Sequence, residues 1–432
     1  MKKNSLVISG TLILWLSAAS PGWGQVELDA VLRPRAEYRH GYKTLTDPSD
    51  DPAFFVSQRT RLNFLLKKQF IEVGISLQDV RTWGSAAQLN TSDDHLSIHE
   101  AWGEFHLTDF LALRLGRQEV DLDDARIFGN VDWAQQGRSH DLALIKLGRS
   151  RKSAIHIGVA YNQAQEQVIN NAYYGPSNYK TLQFGWLHHE WDKLNLSFLF
   201  LNNGIQYSDT INNTEPVLYS QTFGGHVNYM AGNFKFQGTA YGQTGTDRNN
   251  KTIKGYLLSG NVGHSLSDGK IGSLIGFEIL SGTDEKDFTN PGYSSNESFT
   301  PLYGTNHKFN GHMDYFYVGS HNNNVGLVDL FAGLAWNPDR LTFLLTMHKF
   351  ATSAKLMDPA DAAKTMKKSL GFELDFAMGY RHNETLGIKF GYSQMFASET
   401  MAVLKDGSGN GIQNWAWLMF VFTPRIIIDQ QN

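Results

Sequence analysis

Side chains of a β-strand point alternately to opposite faces, so a run with an apolar residue at every second position has one face for an apolar environment and one for a polar one. Four segments of this chain follow that rule strictly. In 71–78, Ile71, Val73, Ile75 and Leu77 alternate with Glu72, Gly74, Ser76 and Gln78. In 155–162, Ile155, Ile157, Val159 and Tyr161 alternate with His156, Gly158, Ala160 and Asn162. Segments 372–381 and 386–393 repeat the pattern around Phe372, Leu374, Phe376, Met378 and Tyr380, and around Leu386, Ile388, Phe390 and Tyr392. On the opposite face only Ala160 and Ala377 are apolar. A helix cannot display this period. The runs are also longer than the ~5–6 residues usual in soluble sheets and close to the ~9–11 of a membrane-crossing strand.

The connections sharpen the expectation. Short ones fall at 67–69, 108–109, 148–152, 190–193, 231–233, 267–270, 337–340 and 382–384. Long ones fall between them, near 42–53, 84–95, 119–137, 163–178, 207–216, 245–252, 283–326, 352–367 and 399–413. Eight short turns and nine long loops join 18 strands, with both ends of the chain on the short-turn side. The expected fold is an all-β transmembrane antiparallel barrel of about 18 strands, with short periplasmic turns and long extracellular loops. Strands near 213–232 and 317–337 are the weakest in pattern. The last strand, 414–425, carries Trp415, Trp417, Phe420 and Phe422, which suit an aromatic girdle at the membrane interface. Residues 426–432 follow it, unlike barrels whose final strand ends at a terminal aromatic.

The N-terminus carries an address. Lys2 and Lys3 precede a short apolar stretch from Leu6 to Leu16, and small residues at Gly22 and Gly24 fit cleavage before Gln25. The expected domains are a secretory signal peptide, 1–24, and one barrel, 25–432. Without the leader, 36 basic and 42 acidic side chains remain, a near-balance unlike that of a nucleic-acid binder. The chain has no cysteine, which excludes disulfides and thiol chemistry. No stretch reaches 18 consecutive apolar residues, as a membrane helix would need.

Residues 113–141 read LRLGRQEVDLDDARIFGNVDWAQQGRSHD. With Gly116-Arg117-Gln118, Asp124, Arg126, Phe128-Gly129-Asn130, Trp133, Arg138 and Asp141, this region resembles the signature of the alginate export family of outer-membrane barrels. Tyr303 to Phe309 followed by Met313 to Phe316 is similar to that family too. The resemblance extends loosely over the mature chain. It implies an 18-stranded barrel in the cell outer membrane and, for true exporters, an arginine-lined pore selecting an anionic polyuronate.

Parity gives an independent reading of the pore. Arg33, Arg35 and Arg39 oppose Leu32, Ala36 and Tyr38, and Arg59 and Arg61 oppose Leu62 and Phe64. A charge facing lipid at mid-membrane costs ~2–4 kcal/mol, so these arginines are expected in the lumen. Arg138 opposes Ala143, Ile145 and Leu147 and is expected inward as well. Arg126 and Arg117 are expected nearer the mouth, although Arg117 shares the parity of Leu113 and Leu115 and needs a bulge at Gly116 to turn inward. Glu27, Asp29, Glu37, Glu72, Glu100, Glu104, Glu373 and Asp375 also carry lumen parity. Two arrangements are therefore open, an arginine ring for carboxylates or a self-neutralising ladder of ion pairs.

Catalytic and metal signals are thin. His95 and His99 share no helix face, His188-His189 suit an interfacial belt, and the Asp406 segment starts like a calcium loop but has Trp417 at the twelfth place. No cofactor motif is present. The expected protein is a monomeric channel and not an enzyme, with membrane lipid, the barrel-assembly machinery and an anionic poly- or oligosaccharide as partners. The alternatives are a general porin with a mixed-charge lumen and an outer-membrane enzyme or adhesin. Loop 283–326 is expected either to fold into the lumen or to cap the mouth.

Overall fold

The computed structural model describes residues 24–428 except 93, 151, 174, 176–178, 210–211, 213 and 318–324. The expected leader therefore lies outside the described residues, apart from Gly24. Antiparallel neighbours run in chain order around a closed barrel of 18 strands. These are β1 Gln25–His40, β2 Ala53–Lys68, β3 Ile71–Thr82, β4 Leu96–Thr108, β5 Leu111–Gln118 and β6 His140–Ser150. They continue as β7 Ser153–Tyr161, β8 Thr181–Glu190, β9 Leu194–Gln206, β10 Val217–Ala231, β11 Phe234–Gly245 and β12 Gly255–Leu266. The remainder are β13 Ile271–Leu280, β14 Leu327–Trp336, β15 Leu341–Ala351, β16 Ser369–Arg381, β17 Leu386–Ala397 and β18 Gln413–Phe422. No described helix is long and apolar enough to cross a membrane.

Eight short turns and nine long connections alternate as the sequence predicts, and the two weakly patterned strands are present as β10 and β14. The barrel closes where β18 pairs with β1, from Leu32 opposite Phe422 to His40 opposite Asn414. The seam extends further than expected. After a break at Thr423-Pro424, Arg425–Ile428 pairs again with β1, Val26 facing Ile428. Pro424 has no N–H to give, but its carbonyl accepts from Ala30 N at 3.0 Å and keeps the seam registered across the break.

The barrel is apolar outside and polar inside. Ile75, Leu77, Ile155, Ile157, Phe372 and Leu374 are all exposed on the outer face, while Ser76, Gln78, Glu373 and Asp375 are buried within. That polarity is what lipid on one side and a lumen on the other require. One expectation for β18 is corrected. Phe420 and Phe422 face outward, but Trp415 and Trp417 are buried on the lumen side, because they share parity with Gln413 and Met419. They pack inside the barrel instead of joining the girdle.

Candidate functional site: a lumen crossed by two loops

Two long connections turn into the barrel. The first, 119–139, lies on an apolar patch of wall: Phe128 is fully buried, its ring 4.8 Å from Phe184 and 5.8 Å from Tyr303. Leu182, Phe184, Leu199 and Leu201, inward on β8 and β9, complete this buried cluster. The other side of the loop meets the arginines. Arg33 and Arg59 are direct cross-strand partners, and Asp132 sits between them, 3.2 Å from Arg33 Nη1 and 2.6 Å from Arg59 Nη1. Arg33 Nε donates to Gln135 Oε1 at 3.0 Å, and the Nη2 groups donate to backbone carbonyls, Arg33 to Asp132 O at 2.8 Å and Arg59 to Ala134 O at 2.7 Å. Guanidinium forks suit this task, having five donors and no acceptor. Burial works against the Asp132 carboxylate, but Arg33 and Arg59 outweigh it and hold the group below its ordinary value.

In the second connection, 281–326, residues 299–317 fold inward where the sequence allowed either an inward fold or a cap. A single parallel bridge between Phe128 and Tyr303 ties this stretch to the first loop, with Gly129 N donating to Tyr303 O at 2.9 Å and Tyr303 N to Ile127 O at 3.1 Å, and Thr305 N donates to Ala125 O at 2.9 Å beside it. Arg138, in the first loop, donates to Gly304 O at 3.0 Å. The wall from β13 to β16, which adjoins the arginine strands through β17 and β18, is acidic and accepts from the loop as the arginines donate to it. Met313 N donates to Glu373 at 2.8 Å, His312 N to Asp375 at 3.2 Å, and Asn310 Nδ2 to Glu278 at 2.8 Å. Asp314 accepts from His307 at 2.7 Å and from the Tyr42 hydroxyl. Burial would raise the Asp314 carboxyl, yet the adjacent His307 and these hydrogen bonds keep it low.

Cavities lie on either side of the loops. One of about 620 Å³, toward the long-loop end, is lined by Arg35, Arg39, Lys43, Trp133, His307 and Asp314 among others. One of about 470 Å³ is lined by residues including Lys235, Gln237, Glu278, Asn310, His312 and His348. No lining residue is common to both. His307 faces the first and His312 the second, with their rings stacked 5.5 Å apart.

The predicted arginines thus separate by position. Arg33 and Arg59 hold the first loop. Arg35 donates to Glu37 and to Trp133 O and lies 4.1 Å over the Trp133 ring. Arg39 bonds Glu37 and stacks on Tyr42 and Phe55. Arg61 donates to Gln78 and approaches Glu119 at 3.6 Å. Arg126 is buried between loop and wall against Asn310 and against Glu278, two residues from the long-loop end of β13. Arg117 keeps the outward parity of Leu113 and Leu115, since β5 pairs without a shift at Gly116, and it bonds Asp141 at 2.9 Å. The ladder of ion pairs and the basic cavity coexist on the same strands. Sequence reasoning missed Asp132, Lys43, His307 and Asp314 as lumen residues, all of them in loops where parity says nothing. The signal for the first loop was present in β9, where Leu199 and Leu201 are apolar on the face opposite Leu196, Phe198 and Phe200.

A family model described as Alginate export matches residues 25–410. The chain belongs to the alginate export family. No curated protein matches it by sequence. Solved structures share the architecture of this family member. OccAB4 of Acinetobacter baumannii aligns with a TM-score of 0.62 at 12% identity, covering 94% of this chain and 99% of that one. OccK9 (OpdG) of Pseudomonas aeruginosa gives 0.61 at 10% identity, covering 93% and 98%. OpdK of the same organism, solved with vanillate, gives 0.58 at 11% identity, covering 93% and 99%. At these identities the likeness is one of fold, that of outer-membrane porin barrels.

Proposed function

We propose that this alginate export family barrel is a diffusion channel for small carboxylated solutes, the size of a single uronic acid or aromatic acid. The observation that carries the reading is the state of the polar groups around the larger cavity. Arg35 Nη2, Arg39 Nη1 and Lys43 Nζ make no hydrogen bond among the described residues, whereas both oxygens of Glu37 and of Asp314 already accept. The cavity offers spare donors and spent acceptors, which suits a carboxylate. Trp133, Tyr42 and Phe55 supply apolar surface beside them. Cavities of about 620 and 470 Å³ are of the size that holds one small ligand; a polymer requires a lumen continuous over several rings. A structural neighbour captured with vanillate, a carboxylate on one aromatic ring, agrees with that scale.

The acidic wall of Glu278, Asp329, Glu373 and Asp375 favours a second reading, a mixed-charge general porin. Planar-bilayer reversal potentials separate the two. The carboxylate channel is anion-selective, its current is reduced by galacturonate but not by galactose, and Arg35→Ala with Arg39→Ala abolishes both effects. Weak selectivity unchanged by that pair would leave the general porin.

A further inference from the structure

We infer that the turn 310–314 is a latch that sets the largest solute the barrel passes, with Glu373 and Asp375 as its catches. The inference rests on the channel reading above. The turn stands between the two cavities, and three of its residues, Asn310, Gly311 and Asp314, have φ of 60°, 82° and 57°. A run of left-handed residues persists only where its surroundings hold it. Here the hold comes from the wall. Glu373 and Asp375 accept the backbone N–H groups of Met313 and His312, and Glu278 accepts the Asn310 amide. Gly311 lies so close on Glu373 that a Cβ there would come within 2.6 Å of its carboxyl group.

The segment is anchored at both ends, and between them Met313 is the residue that joins the apolar core. Upstream, Tyr303 is bridged to the first loop and stacks on Phe128. Downstream, Tyr315 is fully buried, its hydroxyl donating to Gly41 O. The turn's hydrogen bonds to Glu278, Asp375 and Glu373 lie between two cavities, and water can replace these at far lower cost than it can replace apolar packing, which the turn has at the Met313 side chain. Release of the turn joins the His307 side to the His312 side. Glu373 and Asp375 are accordingly size-determining residues for transit, though they lie on β16 and not on the arginine strands β1 and β2.

The chain has no cysteine, so a Met313→Cys, Glu373→Cys variant carries a single possible disulfide across the latch. Its conductance is measured in planar bilayers with polyethylene glycols of graded size, oxidised and then reduced with dithiothreitol. The oxidised form is expected to exclude the same polymers as the wild type, and the reduced form to admit larger ones with a reversible rise in conductance. Gly311→Ala, which leaves the barrel wall untouched and drives a Cβ against Glu373, is expected to match the reduced form. Identical polymer cut-offs in wild type, reduced variant and Gly311→Ala would overturn the latch. A shifted cut-off in an unselective channel would retain the latch and remove the carboxylate reading; anion selectivity with an unshifted cut-off would do the reverse. Absence of current from every form would remove both.

Discussion

Arg33 and Arg59 face one another across β1 and β2, a pairing that two like charges make unfavourable unless an anion stands between them. Asp132 is that anion, and it arrives from a loop about 100 residues away from Arg33 in sequence. Asp132→Ala leaves two buried guanidinium groups without their shared acceptor, so a loss on the order of 1–3 kcal/mol is expected. Thermal unfolding in detergent measures it, and restoration by Asp132→Glu would separate lost charge from lost packing. Asp314 makes a different prediction, because its carboxyl is held low by His307 and Tyr42 against the opposing effect of burial. A depressed carboxyl stabilises above its unfolded pKa of ~3.9 and loses that contribution as pH falls through the folded value. Amides 307–314 should therefore keep their hydrogen-exchange protection from pH 7 down to the ordinary carboxylate range and lose it only below. Protection lost between pH 7 and 5 would contradict this assignment.

The two in-folded loops are held by different chemistry, apolar docking plus arginines for 119–139 and carboxylates plus the first loop for 281–326. Phe128 is the centre of the apolar part, and Phe128→Ala should cost ~3–5 kcal/mol of docking, read as new protease cleavage within 119–139 while the barrel stays intact. Unchanged cleavage would show that the polar contacts suffice. The loops also mark the limit of what parity could reveal. In strands, the alternation placed Arg33, Arg35, Arg59 and Arg61 inward because lipid penalises the other face. In loops no period operates, so Asp132 and His307 could not be found that way. A strand with two apolar faces, as in β9, signals that something packs inside, yet it does not say which loop. Trp415 and Trp417 show the same gap: aromatic residues at a barrel rim suit a girdle, and parity with Gln413 was the signal that turns them inward.

For the molecule as a whole, alternation and connection lengths were enough for strand number, order and the side on which both ends of the barrel lie, since all three follow from repeated local rules. The pairing of Arg425–Ile428 beyond Pro424 was not legible, because a proline normally ends a ladder. The outer face offers a direct test of the membrane reading. Ile75→Arg, in the middle of β3, should destabilise the barrel in lipid by ~2–4 kcal/mol, and Leu96→Arg, at the long-loop end of β4, by ~0–1 kcal/mol. Equal effects in a folding titration into vesicles would place the hydrocarbon band elsewhere. The inward course of 119–139 and 299–317 also decides what the barrel shows to the outside of a cell. The aromatic and polar segment 303–313 is withdrawn from view, so antibodies raised against that peptide should stain intact cells only to the extent that the lumen opens, and immune recognition would fall on the seven other loops and the mostly exposed stretch 286–294.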